Sequence, residues 1–483
     1  MAEVNLKFLT KFSGYVFLAM LFLYLLSFLS WFYPNLESII FIALFLVVVI
    51  LAFIKTEWAV LFLIFEFLTS HGGHLFEFKD LSFRLVAFFS VIIIWLGKKI
   101  FYRQPFLALR SKLGFVFTVF LIFVVLSVWH GFLRSNKPDV LFGDTVNYSY
   151  ILLFLPLTEM LLQDSFKKKI LEIVGGAVIG LAFFSLFSLF LFANGIEYVH
   201  GSYGYYWWIR EALTGKVTLM EYNFHRIATP AHLVILPIFL FYLSFLIIKN
   251  GLKGRKIILI LAILASLILL INFGRAYFLG IICGLLFLVL RAPLKRWLIF
   301  TLLVLLVLTA EMLLIFILCS QGRAVGAEVL ALRLGSIFEP TEELSGLTRT
   351  MRLGPLINLL FKNPLFGTGL GASITYLDPL TGKSATTYHL DWGYLEMWLE
   401  LGFFGFLAFI YFLITIFIQG WQKLKEGSEN LVHQRLIVGL MAGLFALVIA
   451  SVTGPYLFHG LGMSFLAFIA AYFNEKKEIE QMN

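Results

Sequence analysis

The sequence predicts an all-α polytopic membrane protein, and three observations carry that expectation. Hydrophobic residues fill 61% of the 483 positions and charged residues only 13%, against about 25% charged in a soluble domain. The apolar residues arrive in blocks of roughly 17 to 25, the length that crosses about 30 Å of hydrocarbon at 1.5 Å per residue. Runs such as Phe41 to Ile54 do not alternate, as the strands of a membrane barrel must. Helices that satisfy their own backbone groups are the remaining solution in lipid.

In chain order the expected spans are Phe12–Tyr33, Glu37–Ile54, Trp58–Ser70, Leu81–Gly97, Leu113–Phe132, Leu141–Leu162, Ile170–Phe192, Ala231–Ile248, Ile257–Ile271, Ala276–Leu290, Trp297–Leu318, Tyr394–Ile418, Leu436–Val452 and Tyr456–Phe473. They number about fourteen crossings, of which the third is the shortest. The first span follows Met-Ala-Glu-Val-Asn-Leu-Lys with no small-residue cleavage site, so an uncleaved helix is expected.

With the N-terminus inside, basic clusters fall on five cytoplasmic connections: Lys98 to Lys112, Lys167 to Lys169, Lys249 to Lys256, Arg291 to Arg296 and Lys423 to Arg435. Roughly 23 of the 37 Lys and Arg then lie inside, as the positive-inside bias requires. The net charge of +9 therefore reports orientation, and nucleic acid is not an expected partner. Both termini are expected to be cytoplasmic. The chain reads as one integral membrane domain, 1–483, with two long outer-face segments, 193–230 and 320–391. Long loops are usually functional, and the second is expected to form a helical cap. Cys283 and Cys319 suit small apolar filler.

Arginine on the outer face runs against the positive-inside bias, so Arg275, Arg226, Arg349 and Arg352 need a reason to be there. A guanidinium matches phosphate oxygens bidentately, which suits a lipid-linked phosphate or pyrophosphate; snorkelling to headgroups is the plainer alternative. The stretch from His389 through Asp391, Glu396 and Glu400 to Gly405 ends the large loop and enters a span. There His389 or Asp391 can serve as a general base toward a hydroxyl, or Asp391 can simply cap the helix.

Other features leave two readings open. The turn Asn363-Pro-Leu-Phe-Gly367-Thr-Gly369-Leu-Gly371 either nests a phosphate on its amides or only turns the chain. Tyr203, Tyr205, Tyr206, Trp207 and Trp208 either stack on sugars or belong to an interfacial belt. His71-Gly-Gly-His74 with Glu77 lacks further ligands at a recognisable spacing, so a structural loop is favoured over a metal site. Glu66, Arg84, Asp144, Asn147 and Glu311 are expected to face the bundle interior, with Asp144 and Arg84 near an outer-end site.

Three stretches, Gly274-Arg275-Ala276, Arg352-Leu-Gly-Pro running into the glycine turn, and Asp391 through Gly405, resemble the O-antigen polymerase and O-antigen ligase superfamily of bacterial membrane glycosyltransferases. The resemblance implies glycan transfer from an undecaprenyl-pyrophosphate donor to a hydroxyl acceptor at the periplasmic face of the inner membrane, with neither metal nor cofactor. It casts Arg275, Arg226, Arg352 and Arg349 as pyrophosphate ligands and His389 or Asp391 as the base. Counting back from Glu400-Leu-Gly402, Asp391 stands where ligases commonly carry a histidine, and an acidic residue there is similar to the polymerase branch. The acceptor is then a second lipid-linked glycan; in a ligase it is lipid A core. A chain-length regulator is a further implied partner. A flippase or permease, the main rival class, predicts duplicated halves, and no internal repeat is evident. A peptidoglycan polymerase predicts an Asp-rich outer motif, which is not evident either.

Overall fold

The computed structural model describes residues 9–196, 204–247, 254–335, 344–379, 381–388, 390–426 and 431–474. The chain begins with α1 (Lys11–Ser30), α2 (Pro34–Ile54) and α3 (Thr56–Thr69), then a small hairpin of β1 (Glu77–Phe78) and β2 (Leu81–Ser82) leads to α4 (Phe83–Phe101). Next come α5 (Lys112–Leu133), α6 (Pro138–Ser149), α7 (Phe154–Met160) and α8 (Asp164–Ala193). A loop holding α9 (Tyr205–Glu211), β3 (Lys216–Leu219) and β4 (His225–Ala228) precedes α10 (His232–Ile247), α11 (Arg255–Asn272), α12 (Arg275–Phe287) and α13 (Leu294–Cys319). After α14 (Ala327–Gly335) and α15 (Leu344–Lys362), the hairpin β5 (Ile374–Leu377) and β6 (Ser384–Thr387) leads to α16 (Gly393–Glu426), α17 (Leu431–Ala450) and α18 (Gly460–Phe473).

Every expected span falls on a helix, but the helices differ in reach. Nine among the described residues are long and apolar enough to cross a membrane: α1, α2, α5, α6 continued through α7, α8, α11, α13, α16 and α17. Three more, α10, α12 with the turn after it, and α18, are apolar but shorter. α3 has 14 residues, and α4 carries Arg84, Lys98 and Lys99 within its 19.

The chain packs as two compact units, each assembled from separate segments. Unit 1 draws on the described residues of Met1–Pro105, Met160–Ala327 and Gly427–Gly443. Its centre is α8, which packs on α1, α3 and α11. The apolar window of α8 is 61% buried, whereas those of α1, α2 and α13 are only 28%, 22% and 28% buried. Leucines such as Leu302 and Leu306 on α13 stand exposed, a surface that hydrocarbon covers and water would not. The polar residues of the spans turn inward: Arg84 donates to Glu66 at 2.9 Å and to Ser70 at 3.0 Å, all three buried.

Unit 2 draws on the described residues of Phe106–Glu159, Glu328–Glu426 and Leu444–Asn483. Here α5 runs along α16, α18 packs on α6, and α15 lies against β5 and α16. A small core of Leu356, Leu360, Ile374, Leu390 and Leu399 joins those last three. The segment 320–391, expected to be a helical cap, contains α14 and α15 but also the β5–β6 hairpin. Four-residue strands are too short to show an alternating pattern. They are nonetheless rich in β-branched and aromatic residues (Ile374, Thr375, Tyr376, Thr386, Thr387), and Gly382 N–H closes the turn on the Asp378 carbonyl at 2.9 Å.

Candidate active site

The strongest polar constellation of unit 2 is built on α15. Leu356 and Leu360 anchor the helix in the small core, and the three- and four-residue spacing from Arg349 through Arg352 to Leu356 puts both guanidinium groups on the same side of α15 as that core contact. Both meet Asp391. Arg352 Nη1 donates to Oδ2 at 2.8 Å, and Arg349 Nε donates to Oδ1 at 3.3 Å. Arg352 also donates from Nη2 to the Tyr376 hydroxyl at 2.9 Å, and its guanidinium carbon lies 4.7 Å from the centroid of that ring. Burial opposes the Arg352 charge; the Tyr376 hydroxyl and the Asp391 carboxylate more than offset it, so its pKa lies above the ordinary value. The Nε of Arg352 is buried with no hydrogen-bond partner among the described residues. Asp391 thus sits between two guanidinium groups, half-buried and open enough for a ligand to reach them.

Asp391 is placed by the start of α16, and α16 is itself broken. Gly402 takes a φ of 72° inside the helix, a left-handed conformation that a side chain resists. The break leaves helix carbonyls unpaired, which is costly in a segment of this hydropathy. The glycine turn supplies the missing donors. Thr368 N–H donates to the Leu399 carbonyl at 2.7 Å, Gly369 N–H to the Glu400 carbonyl at 3.1 Å, and Ser127 Oγ to the Glu400 carbonyl at 2.8 Å. From the other side, the Asn136 amide donates to the carbonyls of Thr368 and Leu370. The turn amides are therefore spent: Gly367 N–H reaches Asn363, Leu370 N–H reaches Ser127, and Gly371 N–H reaches the Asp144 carboxylate at 3.1 Å. Of the two readings of this motif, the structural turn is the one its hydrogen bonds support.

Three carboxyl groups gather behind the turn. Asp144 of α6 and Glu400 of α16 are hydrogen-bonded to each other, and both accept from Gly371 N–H. Glu396, one turn earlier on α16, accepts from Leu390 N–H, next to Asp391. Nearby, Lys137 lies 5.4 Å from the centroid of the Tyr388 ring.

The other expected residues are distributed differently. His389 lies outside the described residues. Arg226 and Arg275 belong to unit 1: Arg226 Nε donates to the Asn272 carbonyl at 2.7 Å, and Arg275 opens α12. The structure therefore brings Arg349, Arg352 and Asp391 together and places Arg226 and Arg275 in the other unit. His71 is buried, with its Nε2 2.9 Å from the Tyr24 hydroxyl, while His74 pairs with Glu77. Among the described residues no group of three His, Cys, Asp or Glu is placed to hold a metal ion. Sequence reasoning did not identify Tyr376, and it did not pair Asp144 with Glu400. The β-branched and aromatic residues Ile374, Thr375 and Tyr376 are the one sequence cue to the strand that carries Tyr376; no sequence signal pairs two carboxyls 256 positions apart (400 less 144).

No curated protein matches the chain. A family model described as O-Antigen ligase matches residues 260–410. That stretch contains Arg275, Arg349, Arg352, the glycine turn, Asp391, Glu396 and Glu400. From α11 to the middle of α16, then, the chain is similar to the O-antigen ligase family, in line with the resemblance read from the sequence.

Proposed function

We propose that the protein is a membrane glycosyltransferase that polymerises undecaprenyl-pyrophosphate-linked repeat units at the periplasmic face of a bacterial inner membrane. The observation that carries this reading is the Arg349–Asp391–Arg352 cluster within the matched domain. An acceptor sugar hydroxyl attacks the anomeric carbon of the donor, a new glycosidic C–O bond forms, and the bond from that carbon to the pyrophosphate oxygen breaks. The hydroxyl proton passes to Asp391 or His389, and undecaprenyl pyrophosphate leaves.

In this scheme the guanidinium groups supply the charge stabilisation that a metal ion gives other transferases. Arg349 makes the longer contact to Asp391, so an incoming pyrophosphate draws Arg349 away first. That frees Asp391 Oδ1 to meet the acceptor hydroxyl while Arg352 keeps the carboxyl oriented. Arg226 and Arg275 enter as further pyrophosphate ligands on the sequence argument alone. The family description favours a second reading, in which the acceptor is lipid A core and the protein is a ligase; Asp391 in place of the usual ligase histidine favours the polymerase.

The test uses purified protein in bilayer discs with lipid-linked repeat units, alone or with lipid A core. A ladder of longer lipid-linked chains from repeat units alone is the expected outcome. Transfer that requires lipid A core makes the protein a ligase. Movement of intact lipid-linked units across the bilayer with no new glycosidic bond would overturn both readings.

A further inference from the structure

A second site lies in unit 1, where a cavity of about 560 Å³ opens between the end of α8, helix α9 and the β3–β4 hairpin. That volume falls in the range of small-ligand sites, about 300–1,000 Å³. Its walls include Phe192, Tyr206, Trp207, Asn223 and His225.

The rings hold one another in place. Tyr206 and Trp207 meet edge to face, 85° apart with centroids at 5.4 Å, and His225 stacks on Phe192 at 5.4 Å. The Arg210 guanidinium lies 5.7 Å from the centroids of both Tyr206 and Trp207 and donates to the Tyr206 hydroxyl at 3.0 Å. Trp207 is 38% exposed and presents its ring at the surface. Polar groups are fixed as firmly. Asn223 Nδ2 donates to the Ala193 carbonyl at 2.6 Å, which leaves its amide oxygen as an acceptor site, and His225 Nδ1 meets the Asn223 carbonyl at 3.2 Å. The hairpin tip that carries Asn223 holds two consecutive non-glycine residues in the left-handed region, Tyr222 at φ 56° and Asn223 at φ 58°. Such backbone persists only where its surroundings enforce it.

Fixed aromatic faces with an amide and an imidazole, and no Lys or Arg among the described residues that line the cavity, form a poor phosphate site, which would need several cations. They suit a sugar, whose C–H face packs on an aromatic ring while its hydroxyls meet amide and imidazole. An interfacial belt predicts rings spread separately along the membrane boundary, and here they converge on one concavity. We propose that this cavity is a carbohydrate subsite seating a pyranose ring of the glycan against Trp207, an inference that rests on the glycosyltransferase reading above. It is distinct from the arginine contact beside it. His225 and Arg226 are consecutive on β4, where neighbouring side chains take opposite faces; His225 lines the cavity and Arg226 reaches Asn272.

The experiment uses the full chain in discs of phosphatidylethanolamine and phosphatidylglycerol. The probe is the repeat-unit oligosaccharide released from its lipid pyrophosphate by mild acid. Saturation-transfer NMR should show transfer to sugar C–H protons, reduced at least about fivefold by Trp207→Ala and preserved in Trp207→Phe, which keeps a flat ring. Asn223→Ala should weaken binding about tenfold while leaving thermal unfolding within a few degrees of wild type. Absence of transfer in the wild type, or equal transfer in wild type, Trp207→Ala and Asn223→Ala, overturns the subsite. So does a Trp207→Ala effect confined to contacts with disc lipids, which assigns the ring to headgroup anchoring. Chain synthesis by the same proteins separates this proposal from the one it rests on. Sugar binding without new glycosidic bonds sinks the transferase and leaves the subsite, and synthesis without sugar binding does the reverse.

Discussion

At Asp391 a carboxylate faces two guanidinium groups of unequal grip, and the difference sets how each substitution should read out. Arg352 makes the short contact to Asp391, donates to Tyr376 and stacks on its ring. A lysine offers a point charge without the planar fork, so Arg352→Lys should lose about tenfold in kcat. Arg352→Ala should lose about a hundredfold or more, the scale seen when a transition-state donor is removed. Arg349→Ala, which breaks only the 3.3 Å contact, should cost less and act chiefly on donor KM. Steady-state kinetics with lipid-linked repeat units checks all three, and the ordering Arg352 above Arg349 is the outcome at stake. Tyr376→Phe removes one hydrogen bond to a charged group, worth about 1.5–3 kcal/mol, and keeps the stacking face. It should lower activity without lowering the melting temperature as far as Tyr376→Ala.

At the scale of elements, the break in α16 and the glycine turn form one device. Carbonyls freed by Gly402 are met by amides of Thr368 and Gly369, and Asp144 and Glu400 close the turn at Gly371. A Cβ on Gly369 would lie 2.1 Å from the Gly131 nitrogen, in a residue whose φ is already 81°. Gly369→Ala should therefore destabilise the protein by several kcal/mol, as overpacking and left-handed strain combine. Reduced yield and a melting temperature below wild type in fluorescence-detected thermal unfolding would be the signature. Asp144 can be probed more finely. Asp144→Asn keeps an acceptor for Gly371 and a donor for Glu400 and should retain most activity, whereas Asp144→Ala leaves buried groups unpaired at about 1–3 kcal/mol. Equal loss in both variants would mean that the charge of Asp144, and not its hydrogen bonds, is what matters.

At the scale of the whole molecule, the fourteen expected spans all coincide with helices, while length and composition qualify nine among the described residues as crossings. Topology is measurable in cells: with single cysteines, Lys216→Cys and Ser384→Cys should react with a membrane-impermeant maleimide from outside, and Lys168→Cys should not. Labelling of Lys168→Cys under the same conditions would reverse the orientation derived from the basic clusters. Much of this scale was legible in the sequence, because an apolar block long enough for a bilayer declares itself without reference to the rest of the chain. The β3–β4 and β5–β6 hairpins were not, since four-residue strands carry no period. The site was legible by residue type and less by arrangement. The outer-face arginines Arg349 and Arg352 and the acidic Asp391 stood out as candidates, but nothing in the sequence said that Asp391 would sit between the two arginines.

The division follows from the range of the forces involved. The sequence by itself determined a helical, multiply crossing chain, the place of its helices and the residue types available for chemistry, because hydrocarbon enforces backbone satisfaction and apolar length segment by segment. Only the tertiary structure decided that the turn amides serve the broken α16 and not a phosphate, that Asp144 meets Glu400, and that Arg349 and Arg352 share Asp391. Those pairings join residues far apart in the chain. Each is set by which buried polar groups must find partners once the helices have packed.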